Sequence, residues 1–213
     1  MPVTALVVVR HGQSTWNADG RWQGQADPPL SGLGEAQAAE AARTLDECTA
    51  IWSSDLVRAA TTATIISAAI AARTGDGTAG ASFVAGLDAR MRERDAGEWT
   101  GLTRAEIDER YPGALRDGRR PPGFEPDESL AARALAALRE FGAGLPAAGL
   151  GLVVTHAGVI RAVERALGGE SEPVPNLGGR RLLVGIYGLT LGERVLLLDS
   201  GPGGIEVTIP RQL

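Results

Sequence analysis

The sequence predicts an α/β fold, a three-layer sandwich with a mostly parallel central sheet flanked by helices, and three observations predict it. Short apolar runs at residues 5–9, 51–54 and 152–155 have the length of buried strands. Stretches of helical spacing or good helix propensity follow them, the alternation from which crossovers between parallel strands are built. A length of 213 residues could hold one large α/β domain or two small ones and is enough to bury a sizeable core, and the alternation throughout points to a single domain over 1–213. No internal repeat or low-complexity tract interrupts that plan.

Residues 5–9 (ALVVV) form the opening strand, which gives way abruptly to Arg10, His11, Gly12, Gln13, Ser14, Thr15 and Asn17. Residues 19–29 are rich in Gly, Asp and Pro and read as a loop. Ser31 is placed to cap a helix through Leu45, with Glu35 in its first turn. A second strand over 51–54 leads into a helix running to about Arg73, with Arg58 in its first turn. Residues 74–82 are a Gly-, Thr- and Ala-rich connection, and another strand is expected within 83–90. Thr103 and Glu106 spell a capping box, opening a short helix that Pro112 ends. Residues 113–129, punctuated by glycine, proline and charge, read as a lid-like loop, so a lid-like insertion is expected around 103–129. Leu130, Ala134, Leu138 and Phe141 recur at helical spacing. A strand at 152–155 precedes a helix marked by Val159, Val163 and Leu167. Apolar runs at 182–186 and 195–198 and an alternating segment at 205–209 are then expected to close the sheet.

Composition narrows the chemistry. Apolar content of 44% and charged content of 22% are ordinary for a globular protein. A net charge of −5 gives no long-range attraction to nucleic acid or anionic membrane, and 4% aromatic content offers little for base stacking. An anionic substrate must therefore be captured by a local cluster of positive groups. All 21 basic residues are arginines, which excludes Schiff-base chemistry through lysine and the lysine of a Walker-type loop. Arginine still binds phosphate bidentately. With Cys48 the only cysteine, no intrachain disulfide and no thiolate metal cage can form, and no metal or other cofactor is expected. No signal peptide and no membrane-spanning stretch is read, so a cytoplasmic home is the expectation.

The chain has two histidines, and both follow the same plan of strand, histidine, small residue, glycine or turn, helix. The carboxyl ends of strands are where open α/β sheets place ligands. Arg10 brings a fixed charge with a planar fork of donors, His11 a ring nitrogen able to attack phosphorus, and Gly12 a backbone that can approach an anion closely. Arg58, in the first turn of its helix, adds positive charge where a helix already favours anions. Glu93 lies in the densest charge cluster of the chain, between Arg92 and Arg94. By charge alone it is one member of a set of self-compensating ion pairs.

Several stretches carry a resemblance. The segment R-H-G-Q-S-T-x-x-N from Arg10 to Asn17 is similar to the signature of the histidine phosphatase superfamily, in its phosphoglycerate-mutase-like branch. The loop R-x-Q-G-x-x-D-x-P-L-S, the motif S-S-D-L-x-R-A-x-x-T-A, the run R-M-R-E-x-x-x-G-x-W-x-G and the H-A-G after the 152–155 strand resemble further family motifs, in the expected order. The resemblance implies a phosphoglycerate-mutase-like fold and a phosphorylated intermediate on His11. It implies that Glu93 protonates the leaving oxygen, and that Arg10, Arg58 and His156 surround the phosphoryl oxygens with help from the Asn17 amide. Gln23, Gly24 and Ala157 become candidate substrate contacts; Ala157 stands where the family commonly has glycine. The short segment between the glutamate motif and the second histidine favours a phosphatase acting on a small phosphorylated metabolite, of the sugar phosphate or phosphoglycerate type. A phosphoglycerate mutase is the alternative, and a catalytically silent phospho-ligand or protein-binding module the weaker one. A homodimer is a possible assembly.

Overall fold

The computed structural model describes residues 4–45, 48–74, 84–199, 201 and 204–210. Six strands form one sheet in the order β3-β2-β4-β1-β5-β6. They are β1 (Ala5–Arg10), β2 (Cys48–Ser53), β3 (Val84–Leu87), β4 (Leu150–Thr155), β5 (Gly178–Gly185) and β6 (Gly188–Leu196). The helices are α1 (Thr15–Ala18), α2 (Gly32–Ala41), α3 (Val57–Thr74), α4 (Arg104–Arg110), α5 (Asp127–Gly144) and α6 (Ala157–Ala166). The four strands β3, β2, β4 and β1 run parallel, while β5 and β6 add an antiparallel pair at one side.

The alternation within β1 builds the sandwich. Leu6 and Val8 join Val153, Leu182 and the apolar stripe of α5 and α6 in one core. Val7 and Val9 join Ile51, Leu152, Val154 and the alanine-rich faces of α2 and α3 in the other. Both faces of β1 are thus covered, and all six of its residues are buried, which is why it reads as an unbroken apolar run. Each such buried aliphatic side chain contributes about 1.5–3 kcal/mol. The sequence-predicted stripe Leu130, Ala134, Leu138, Phe141 lies inside the first core.

A third, smaller core of Trp22, Ala96, Trp99, Leu102, Ile107 and Ala114, with Phe124 and Tyr111 against it, sits apart from the sheet. It draws together the 19–29 loop and the 94–124 region. Trp22 and Trp99 meet edge to face with ring centroids 5.2 Å apart. The capping box at Thr103 and Glu106 forms as the sequence predicts.

Three expectations need correction. The 113–129 loop is shorter, because α5 starts at Asp127, where two acidic residues favour a helix N-terminus. The segment 205–209 is no strand: Ile205 and Val207 pack on the second core, but its backbone joins no ladder. The two closing strands are longer and earlier than the apolar runs, and Ile186 is the turn between them, 92% exposed. The predicted connection at 74–82 and the start of the 83–90 strand fall on 75–83, outside the described residues, while Thr74 still belongs to α3. Among the described residues no helix is long and apolar enough to cross a membrane.

Candidate active site

Parallel pairing of β1 with β4 sets Arg10 opposite Thr155, so the residues that follow, His11 and His156, emerge side by side. Their ring centroids lie 5.1 Å apart, edge to face. Ser53 at the end of β2 pairs with Val154, which brings Ser54 to the same edge. Three neighbouring strand ends therefore supply the floor of one pocket.

His11 is buried and its tautomer is fixed. Nδ1 lies 2.6 Å from the Gly12 carbonyl, which can only accept, so Nδ1 carries the proton. Nε2 accepts from Arg58 Nε at 3.2 Å. Burial, then the charges of Arg58 and Arg10, hold the His11 pKa well below the usual histidine range, which keeps the ring neutral. The same causes, burial first and then Arg58, depress His156. His156 Nε2 lies 2.9 Å from Ser54 Oγ, and its Nδ1 is buried with no protein partner.

The two arginines are held differently. Arg58 is fully buried; besides His11 it donates to the Ala26 carbonyl at 2.7 Å and the Gly24 carbonyl at 3.0 Å, tying the 19–29 loop to the nucleophile. Arg10 donates to the Val174 carbonyl at 2.9 Å and keeps its buried Nε without a protein partner. Burial lowers both guanidinium pKa values to about 10, with Glu93 opposing, so both stay charged at neutral pH.

Glu93 does not pair with its neighbours in sequence. Arg92 binds Asp55 and Arg94 binds Asp127. The Glu93 carboxylate instead accepts from the Arg94 backbone N–H at 2.7 Å and from Gly158 N–H, in the first turn of α6, at 3.1 Å. Arg133 on α5 fixes the backbone beneath it, donating to the carbonyls of Arg90, Arg92 and Glu93. A Cβ at Gly158 would land on Glu93 Oε1, so the glycine is what lets helix and carboxylate meet.

Arg10, His11, Gln23, Gly24, Arg58, Glu93 and Ala157 line one cavity of about 50 Å³. Trp22, Arg94, Ala96, Phe124 and Gly158 complete its wall. His156 lies directly behind, against His11. Asn17 is the exception: it is buried, and its Oδ1 accepts from the Ser14 N–H as part of the capping box of α1. A Cβ at Gly12 would strike the Gly34 carbonyl of α2, so the glycine also lets that helix pack close. Sequence reasoning missed Ser54, Arg133 and the aromatic wall of Trp22 and Phe124; Ser54 stood inside a quoted motif, whereas Arg133 and Phe124 carried no local signal. Among the described residues no group of three His, Cys, Asp or Glu side chains is placed to hold a metal ion.

A strand-end pocket with two neutral imidazoles, two buried guanidiniums and a carboxylate on a helix N-terminus defines a site for phosphoryl chemistry. The chain matches the histidine phosphatase superfamily (branch 1) over residues 6–182, and it belongs to that family. It is 39% identical over 197 residues to a glucosyl-3-phosphoglycerate phosphatase of Mycolicibacterium vanbaalenii, covering 84% of this chain and 81% of that protein. It is 35% identical over 208 residues to a metal-independent phosphoserine phosphatase of Arabidopsis thaliana, covering 93% and 81%. The fold is similar to that of a mycobacterial glucosyl-3-phosphoglycerate phosphatase solved with VO3, with a TM-score of 0.71 and 33% identity, covering 91% of this chain and 98% of that one.

Proposed function

We propose that the chain is a metal-independent phosphatase that hydrolyses small phosphorylated metabolites, of the sugar phosphate or phosphoglycerate type, through a phosphohistidine on His11. The observation that carries this reading is the tautomer lock at 2.6 Å, which leaves Nε2 as the nucleophile facing the cavity side of Arg58. In the first step Nε2 attacks phosphorus, the bond from phosphorus to the alcohol oxygen breaks, and Glu93 gives that oxygen its proton. In the second, water attacks the phosphohistidine, Glu93 takes the water proton, and inorganic phosphate leaves His11 restored. Arg10, Arg58 and His156 Nδ1–H hold the equatorial oxygens; Asn17 shapes the loop they face, and its amide joins them. Gln23, Gly24 and Ala157 bound the substrate. The single cysteine is in keeping with a cytoplasmic setting, and one shared sheet with a single domain.

Rapid-quench sampling with a ³²P-labelled substrate tests the reading. An acid-labile label is expected on the wild-type chain and none on His11→Ala; hydrolysis without any labelled protein would overturn it. Steady release of inorganic phosphate without isomerised product separates the phosphatase from the mutase, and turnover itself separates it from a silent binding module.

A further inference from the structure

Each backbone polar group between the Arg10 carbonyl and the Gln13 carbonyl has a partner. The Arg10 carbonyl accepts from Leu177 N–H at 3.1 Å, and His11 N–H donates to the Thr155 carbonyl at 2.9 Å. The His11 carbonyl accepts from Asn176 Nδ2 at 2.8 Å, and Gly12 N–H donates to Thr62 Oγ1 at 3.1 Å. The Gly12 carbonyl takes the His11 Nδ1 proton, and the Gln13 carbonyl accepts from Ser31 N–H at 2.9 Å. The remaining group, Gln13 N–H, belongs to the same peptide unit as the Gly12 carbonyl that fixes the His11 tautomer. It donates to Gln37 Oε1 at 2.8 Å.

Gln37 is a fully buried amide on α2, on a face whose other buried residues are Gly34, Ala38 and Ala41. A polar side chain is costly in such a place unless it is hydrogen-bonded. Both of its ends are bonded, because Nε2 donates to the Glu206 carbonyl at 2.8 Å. Gln13 N–H can only donate and the Glu206 carbonyl can only accept, so the amide has one orientation. Close packing of α2 on the loop makes the contact possible: a Cβ at Gly34 would land on the Gln13 carbonyl.

The bonds therefore run in series, from His11 Nδ1–H to the Gly12 carbonyl, across that peptide, and from Gln13 N–H to Gln37. Hydrogen bonds in series polarise one another, so an acceptor at Gln13 N–H makes the Gly12 oxygen a stronger acceptor. When Nε2 takes the phosphoryl group the ring keeps its Nδ1 proton and becomes cationic, and it is neutral again once water has displaced that group. The Gly12 carbonyl faces this passing charge at 2.6 Å.

We propose that Gln37 is a positioning residue for the nucleophile: through the peptide between Gly12 and Gln13 it aims the His11 ring and strengthens the carbonyl that bears the charge of the phosphohistidine. The inference deepens the phosphohistidine reading and rests on it.

Two variants of the full chain separate the acceptor end of the amide from its donor end. Gln37→Met offers Gln13 N–H no acceptor, whereas Gln37→Glu keeps an oxygen for it in either protonation state. With two histidines in the chain, ¹⁵N-histidine labelling yields two ring systems to resolve by NMR. The His11 Nδ1–H should resonate far downfield and exchange slowly with water in the wild type. In Gln37→Met the signal should move upfield and exchange faster; in Gln37→Glu it should stay at the wild-type position or further downfield. On p-nitrophenyl phosphate, kcat/KM should fall by about 10–10²-fold in Gln37→Met, the scale of a misplaced reacting group, and largely recover in Gln37→Glu. Competitive inhibition by inorganic phosphate needs the arginines but no bond to Nε2, so it should be unchanged in both. An unmoved Nδ1–H signal or full kcat/KM in Gln37→Met, equal losses in the two variants, or weakened phosphate inhibition would overturn the role. Should Gln37→Met not fold, Gln37→Glu decides alone, an upfield signal there overturning the role and a downfield one supporting it. Absence of p-nitrophenyl phosphate turnover in the wild type would count against the phosphatase reading, while the spectra still decide whether Gln37 acts on the His11 ring.

Discussion

At the scale of single residues the site works by removing choices. His11 is left with one bare nitrogen because the Gly12 carbonyl accepts only from a protonated Nδ1. Glu93 is lifted out of a run of charges because Arg92 and Arg94 are claimed by Asp55 and Asp127. Its proposed role predicts a leaving-group signature in kcat/KM, which reports the phosphorylation half-reaction and not the water attack shared by all substrates: Glu93→Gln should lower it on alkyl phosphates by about 10²–10⁴, the span of general acid–base catalysis, yet hardly on p-nitrophenyl phosphate. Equal losses of kcat/KM on both substrates would remove the carboxyl from proton transfer to the leaving group. The histidines carry a second consequence. Both have pKa values depressed in the folded chain below the ordinary 6.5, mainly by burial, so the unfolded chain binds more protons once pH falls under that value. Their contribution is intact above pH 6.5 and is lost as pH falls below it, at up to about 1.4 kcal/mol per pH unit for each ring. Carboxylates with lowered values, such as Asp55 and Asp88, act only in more acidic solution. Thermal unfolding followed from pH 7 to pH 5 should show the decline, and His156→Asn should make it shallower. Much of this was legible: Arg10, His11, Arg58, Glu93 and His156 all sit in motifs that local sequence carries whole. Asn17 was legible only by likeness, since its Oδ1 serves the Ser14 backbone, and a single sequence does not tell a capping amide from a ligand-binding one.

At the scale of elements, strand ends were easy to read and supports were not. A buried parallel strand advertises itself as an apolar run, so β1, β2 and β4 could be found, with the chemistry that follows each. The segment 205–209 has the same alternation but no ladder partner; it is used as a strap. Thr208 Oγ donates to Asn176 Oδ1 at 2.7 Å, and Asn176 Nδ2 donates to the His11 carbonyl at 2.8 Å. Gln37 on α2 completes the arrangement, accepting from Gln13 N–H at 2.8 Å and donating to the Glu206 carbonyl at 2.8 Å. Contacts separated by more than 160 residues leave no local mark, which is why this support escaped sequence reading. Removing one link tests it. Thr208→Val takes away the donor to a fully buried Asn176, whose Oδ1 then loses that partner, at a cost of about 1–3 kcal/mol. Urea unfolding should report that loss together with a fall in kcat larger than any change in KM. A variant as stable and as active as the wild type would show that the strap does not position the nucleophile.

At the scale of the whole molecule the pocket lies between two bodies of different origin. The sheet and its helices supply the histidines and Arg10, while the small tryptophan-centred core supplies Trp22, Ala96 and Phe124 as the opposite wall. Arg58 joins the halves, reaching from α3 both to His11 and to the Gly24 and Ala26 carbonyls. Two guanidiniums buried within one small cavity oppose folding chiefly through lost hydration, as their lowered pKa values of about 10 record, and the charge of Arg58 lowers that of Arg10 further. An anion placed between them supplies the missing partner and bonds to both halves at once. Vanadate should therefore stabilise the entire chain, shifting one cooperative unfolding transition upward, by about 2.7 kcal/mol at a hundredfold excess over its Kd. Arg58→Ala should abolish most of that shift, although the variant keeps Arg10 and His156, because the bridge across the pocket is gone. Scanning calorimetry at rising vanadate distinguishes the outcomes. Two separate transitions, of which only one moves, would mean that the tryptophan-centred core melts on its own and that the anion is held by the sheet side alone.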